Sequence, residues 1–167
     1  MIADSLVSEF DQEMKSTRRL FERIPEGDAS WKPHEKSMSL GQLSMHLANL
    51  PTWASMALSH TEFDMHPPGG ERVTTPPFKS REDVLAFFGQ NVAKARETMV
   101  STSDEEMMNS WTLKNRGEAV FSLPKIAVLR SFVLNHMIHH RGQLTVYLRL
   151  RDVPLPGIYG PSADERM

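Results

Sequence analysis

The stretch that decides the fold is FVLNHMIHHRGQLTVYLRL, residues 132–150. Its apolar side chains recur at helical spacing, which predicts a long amphipathic helix. At about 100° per residue, His140 lies about 40° from His136, and Val133 and Leu144 lie about 60° and 80° from it. Both histidines therefore belong to the apolar side of the predicted helix, one turn apart.

A second strip of the same helix carries His139, Phe132, Gln143 and Leu150. It lies about 60° to the other side of His136. We interpret this strip as a flank of the helix or as a contact between subunits, so it suggests a homodimer.

Three further helices precede this one along the chain. Leu6, Phe10 and Met14 begin an apolar stripe in the first of them. The predicted helices cover residues 3–24, 39–59 (capped by Ser39 and Gln42 and kinked at Pro51), 80–101 and 124–151. Proline and glycine make residues 61–79 a long crossover loop, and a short hairpin around Asn115-Arg116-Gly117 is a further possibility. The pattern predicts an all-α protein: a four-helix bundle with a long crossover connection after helix 2, forming one domain over residues 1–167.

Composition narrows the class of function. The 167 residues include 19 basic and 21 acidic side chains, for a formal net charge of −2, which argues against nucleic-acid and anionic-membrane partners. The chain has no cysteine, so disulfides, cysteine-bound metals and a cysteine nucleophile are excluded. The polar N-terminal residues do not form the apolar run of a signal peptide, and we expect a cytoplasmic protein.

A third histidine falls on the apolar side of another predicted helix. His46 lies within about 80° of Leu43, Leu50 and Ala54 in the second helix. A buried imidazole without partners costs about 1–3 kcal/mol, so three inward histidines need an explanation. One divalent metal ion bound by His46, His136 and His140 supplies it, with a coordination position left open for a water or a substrate atom. The alternative is that each imidazole is an ordinary hydrogen-bonded core residue.

Several other residues have both a functional and a structural interpretation. Arg141 and Arg130 can pair with a carboxylate on a cosubstrate, although solvation is the favoured interpretation for both. Tyr147 can donate a hydrogen bond near the metal. Trp53 and Met56 line either a pocket mouth or a packed interface. We assign the remaining candidates to packing (Met45 and Met137) or to the surface (His34, His60 and His66).

The chain resembles the DinB/YfiT-like superfamily of bacterial proteins. The motifs that carry the resemblance are WKP at 31–33, SLGQL at 39–43, MHL at 45–47, NHMIHHRGQL at 135–144 and PLPGIYGP at 154–161. The family's single histidine and its later His-x-x-x-His pair map onto His46, His136 and His140. The resemblance implies a bundle, a divalent metal such as nickel or zinc, frequent homodimers, and thiol transfer among characterised relatives; manganese and iron are further candidates.

Two classes of function follow. In the first, the chain is a metal-dependent enzyme, an S-transferase or a hydrolase. Its metal activates a low-molecular-weight thiol or water for transfer to a small electrophile, and the metal-bound water or thiol is the catalytic group. In the second, the chain is a non-catalytic metal-binding helical dimer with a stress-associated binding role.

Overall fold

The computed structural model of the chain describes residues 2–70 and 74–165. Residues 71–73, part of the predicted crossover loop, lie outside it, as do the ends of the predicted domain. The helices are α1 (Ile2–Phe21), α2 (Leu40–Asn49), α3 (Thr52–Ser59), α4 (Arg81–Ser101), α5 (Asp104–Met108), α6 (Lys125–Val128) and α7 (His136–Leu150). A π-helical segment, Leu129–Asn135, joins α6 to α7, and a 3₁₀ turn follows α1 at Glu26–Asp28.

The main core lies between the longer helices. Helix α4 packs against α1, α2 and α3, while α7 packs against α1 and α2. The Phe21 and Phe88 rings meet edge to face across the α1–α4 contact, with their centroids 5.0 Å apart. Met45 and Met137, assigned to packing from the sequence, are both buried in this core.

Helix boundaries follow the capping residues of the sequence. The Ser39 side chain accepts a hydrogen bond from the Gln42 amide, and the Gln42 side chain accepts one from the Ser39 amide, so the predicted capping box is confirmed. Ser80 also caps α4, where its side chain accepts a hydrogen bond from the Asp83 amide. The predicted kinked helix 39–59 is instead two helices, because α2 ends at Asn49 and Pro51 is the N-cap of α3.

The fold is predominantly helical, as predicted, but it also contains a small sheet. Strands β2 (Ser110–Asn115) and β3 (Glu118–Pro124) form an antiparallel hairpin, which confirms the suggested hairpin. Strand β1 (Glu62–Asp64) pairs in parallel with β2, although the sequence places it in a crossover loop. The all-α prediction is wrong in this respect, because three residues are too few to show a strand period.

Among residues 2–70 and 74–165, the structure has no helix with both the length and the apolar character needed to cross a membrane.

Candidate metal centre

The three predicted metal ligands lie on two helices that face each other. His46 is in the second turn of α2, while His136 begins α7 and His140 follows one turn later. Helices α2 and α7 are in contact, so their histidine-bearing faces meet. The spacing of four residues places His136 and His140 above one another, as the periodicity predicts.

The three imidazole rings converge through their Nε2 atoms. His136 Nε2 lies 2.9 Å from His140 Nε2 and 3.4 Å from His46 Nε2. One ligand nitrogen from each ring lies within 4.8 Å of the other two. Two nitrogens bound at about 2.0 Å to one tetrahedral zinc ion stand about 3.3 Å apart, so these separations suit three ligands of a single ion.

The surroundings of the rings favour the neutral, metal-binding form of imidazole. Burial, followed by the neighbouring charges of His140 and His136, lowers the pKa of His46 to about 4. Burial is also the largest cause that lowers the pKa values of His136 and His140. At neutral pH the three rings therefore carry lone pairs rather than positive charge.

Hydrogen bonds fix the orientation of the ligand rings on α7. Gln143 Oε1 accepts a hydrogen bond from His140 Nδ1 at 2.7 Å, which leaves Nε2 of that ring free to bind an ion. A hydrogen bond to the Phe132 backbone acts in the same way on His136 and partly offsets the lowering of its pKa. Sequence analysis missed the role of Gln143, although its position three residues after His140 was a usable signal.

Comparisons with known proteins identify relatives of this chain. A family model described as the DinB superfamily matches residues 9–144. The chain belongs to the DinB superfamily. It is 23% identical over 167 residues to the uncharacterized protein YrdA of Bacillus subtilis (strain 168), covering 97% of this chain and 90% of YrdA.

Two solved structures of DinB-like proteins share the fold. The protein YjoA from Bacillus subtilis has a TM-score of 0.67 at 21% identity, covering 98% of this chain and 99% of YjoA. A DinB-like protein from Bacillus cereus ATCC 10987 has a TM-score of 0.73 at 19% identity, covering 93% of this chain and 97% of that one. Similarity at this level of identity shows the fold of this DinB chain. Its activity has to be inferred from the residues of the site.

Neither arginine proposed for substrate binding is free in this DinB protein. Arg141 is only 2% exposed, and its guanidinium pairs with the carboxylate of Glu13 at 2.5 Å, so the solvated interpretation is wrong. Arg130 is exposed and pairs with Glu9 at 3.1 Å. Both side chains therefore hold helix α1 to the last helical region.

None of the remaining candidates belongs to the triad. His139 is exposed and is not one of the three converging histidines, although its ring centroid lies 4.9 Å from that of His140. Tyr147 donates its hydroxyl to the Met38 carbonyl at 3.3 Å, so the predicted hydrogen bond near the metal is wrong. His34 and His60 are exposed as predicted, whereas His66 is half-buried.

The predicted outer flank of the last helix is partly covered. Phe132 stacks on Phe121 of β3, with their centroids 4.9 Å apart, so the hairpin covers part of this side chain. Leu150 is 54% exposed, as a flank residue should be. The π-helical segment explains the difference, since its turn is wider than the α-helical turn assumed for the prediction.

A pocket of about 480 Å³ adjoins the triad on the side of His46. Trp53 and Met56 line it together with Phe63, and both also pack against the buried cluster around Trp111, so the pocket role and the packing role both hold. A second, more open cavity of about 1050 Å³ lies beside the start of α2 and is lined in part by Lys32 and Lys36. None of the three triad histidines lines that second cavity.

Proposed function

We propose that this DinB protein is a metal-dependent enzyme in which His46, His136 and His140 bind one divalent ion. The observation that carries the proposal is the convergence of three Nε2 atoms, with the pKa of each ring lowered. Three imidazole ligands leave at least one coordination position open, which is typical of catalytic rather than structural zinc. Zinc and nickel suit imidazole nitrogen, while manganese and iron are the alternatives to test.

The chemistry proposed for the site is activation of a small nucleophile. A divalent ion held there would lower the pKa of a water or of a low-molecular-weight thiol and favour its attack on a small electrophile. Any nucleophilic thiol must come with a cosubstrate, because the chain has no cysteine. The imidazoles bind while neutral, Gln143 holds the ring of His140, and the apolar walls beside His46 exclude water.

Metal content is the direct test of the site. We expect protein purified without a polyhistidine tag to hold about one ion per chain by mass spectrometry, and His140→Ala to lose it. His139→Ala is the matched control, since His139 lies on the same turn but outside the triad. Wild-type protein that stays metal-free after incubation with zinc, nickel, manganese and iron would overturn the proposal.

The class of reaction requires a separate assay. Metal-loaded protein is incubated with a panel of electrophiles, with and without a low-molecular-weight thiol. Loss of thiol that depends on the protein identifies an S-transferase, and product formation without thiol identifies a hydrolase. His136→Ala should abolish either activity while the circular dichroism spectrum stays unchanged. Absence of both activities across the panel would favour the non-catalytic alternative.

We also propose how the helices and subunits assemble and where in the cell the protein is located. We interpret α1, α2 with α3, α4, and α6 with α7 as the four members of a bundle in a cytoplasmic protein. Val146 and Leu150 lie one turn apart on α7 and are both more than half exposed, which favours a homodimer through this face. Light scattering on wild type and on Leu150→Glu tests the dimer, since a charge at this position should give a monomer.

A further inference from the structure

We infer that the pocket beside His46 binds an uncharged aromatic group of the substrate, with Trp53 as the residue that selects it. The inference rests on the proposed function only in treating this pocket as the substrate pocket of the metal site. Its own basis is the shape, the lining and the charge of the cavity.

Large apolar side chains form the walls. Trp53 and Met56 belong to α3 and Phe63 belongs to β1. Met65 is the residue that follows this strand. All four side chains are only half-buried, so their exposed parts together form an apolar surface on the wall of the pocket. A contiguous apolar surface of this kind marks a binding groove more often than an ordinary exterior.

The indole of Trp53 is held in place by other rings. Its centroid lies 5.7 Å from Phe63, 6.3 Å from Phe132 and 6.4 Å from Trp111. An aromatic side chain fixed in this way loses little conformational entropy when a ligand ring packs on it. The pocket therefore offers a preformed surface to a flat ligand.

The lining carries no charged side chain among the described residues. Its polar members are the neutral Asn49, Thr52 and Thr75, and the imidazole rings of His46 and His66. In the metal-free protein, an ionic group would lose its hydration in this pocket without gaining a counter-charge from the described lining residues.

The acidic side chains of β1, Glu62 and Asp64, do not line the pocket, and Glu62 pairs with Lys114 at 2.6 Å. The carboxylate of Asp64 accepts hydrogen bonds from the backbone amides of His66, Arg116 and Gly117. It therefore holds the hairpin turn. The volume of about 480 Å³ falls within the range of about 300–1,000 Å³ that is usual for small-molecule sites.

Three probes of one shape and different charge test the inference. They are 1-naphthalenemethanol (neutral), 1-naphthoate (anionic) and 1-naphthylmethylammonium (cationic), titrated by calorimetry into full-length, EDTA-treated protein. We expect the neutral probe to bind at least tenfold more tightly than either ion. Because no metal is needed for this measurement, a failure here is distinct from failure of the metal-content test.

Two variants assign the binding to this pocket. Trp53→Ala should weaken the neutral probe at least tenfold, whereas Trp31→Ala should not, because Trp31 packs on Tyr147 outside the pocket. Met56→Lys adds a positive charge to the wall and should reverse the preference toward 1-naphthoate. Loss of folding does not produce such a reversal, so this variant decides the matter if Trp53→Ala fails to fold.

The inference is wrong if the neutral probe does not bind, or if the charged probes bind equally well to wild type. It is also wrong if folded Trp53→Ala binds as wild type does, or if Met56→Lys leaves the order of the three affinities unchanged.

Discussion

Gln143 shows how one uncharged side chain can tune a metal ligand. Its Oε1 accepts the proton of His140 Nδ1, so it fixes both the tautomer and the tilt of that ring. We expect Gln143→Leu to weaken zinc binding by about 10- to 100-fold, as the loss of such a partner does elsewhere. Competition with a fluorescent chelator measures the change. Gln143→Glu keeps an acceptor and should retain most of the affinity; equal loss in both variants would contradict this role.

The buried histidines also predict how stability depends on pH. The pKa of His46 is about 4 in the folded chain, against an ordinary value of about 6.5 in the unfolded chain. Between these two values the unfolded chain binds a proton that the folded chain does not. The free energy of unfolding therefore falls as the pH decreases from about 6.5 to about 4. His136 and His140 act in the same direction.

Urea unfolding in EDTA at pH values of about 7.5 and 4.5 tests this effect. His46→Gln removes the contribution of His46, so the variant should lose less stability than wild type between the two conditions. Equal losses in the two proteins would show that the His46 pKa is not lowered by folding.

Among the elements, the hairpin turn makes a prediction of its own. Arg116 and Gly117 both have positive φ angles, 55° and 83°, as the two central residues of a type I′ turn do. We expect Gly117→Ala to lower the free energy of unfolding by about 1–2 kcal/mol, because the left-handed conformation is less favourable for alanine than for glycine. Pro68 Cγ lies 3.9 Å from the added Cβ, so steric contact is not the cause.

Arg116→Asn is the matched change of opposite sign, since asparagine adopts the left-handed conformation more readily than arginine. Thermal unfolding of both variants compares them with wild type. A stability of Gly117→Ala equal to that of wild type, or a loss in Arg116→Asn, would contradict the assignment of the turn.

The elements also show what periodicity can and cannot predict. Helices α2 and α4 follow from capping residues and apolar spacing, as Ser39 and Ser80 demonstrate. Strand β1 depends on pairing with β2, a long-range contact that three residues do not encode locally. The π-helical segment changes the angle per residue just before His136, so Phe132 faces the hairpin rather than solvent.

The same distinction applies to the candidate site. The four-residue spacing of His136 and His140 and the apolar neighbours of His46 were enough to predict that the three rings meet. The burial of Arg141 was not predictable from its neighbours in the sequence. A charged side chain is buried only where it has a partner, and here that partner is far away along the chain. That partner, Glu13, lies 128 residues earlier in the chain.

In the whole molecule, the buried pair of Arg141 and Glu13 joins three parts of the chain. Arg141 also donates to the Glu13 carbonyl at 3.1 Å and to the Tyr159 hydroxyl at 2.6 Å. Tyr159 in turn donates to the Glu13 carboxylate at 2.9 Å. The cluster therefore connects α1, α7 and the C-terminal tail through one desolvated charge pair.

Removing one member of this pair should cost far more than removing both. Glu13→Leu leaves a buried guanidinium without its counter-charge, and we expect the free energy of unfolding to fall by about 3–5 kcal/mol. Glu13→Leu combined with Arg141→Met replaces the pair by apolar side chains and should recover most of that loss. Urea unfolding of wild type, both single variants and the double variant gives the coupling energy. Additive losses in the double variant would mean that Arg141 and Glu13 act independently, and that packing alone holds α1 to α7.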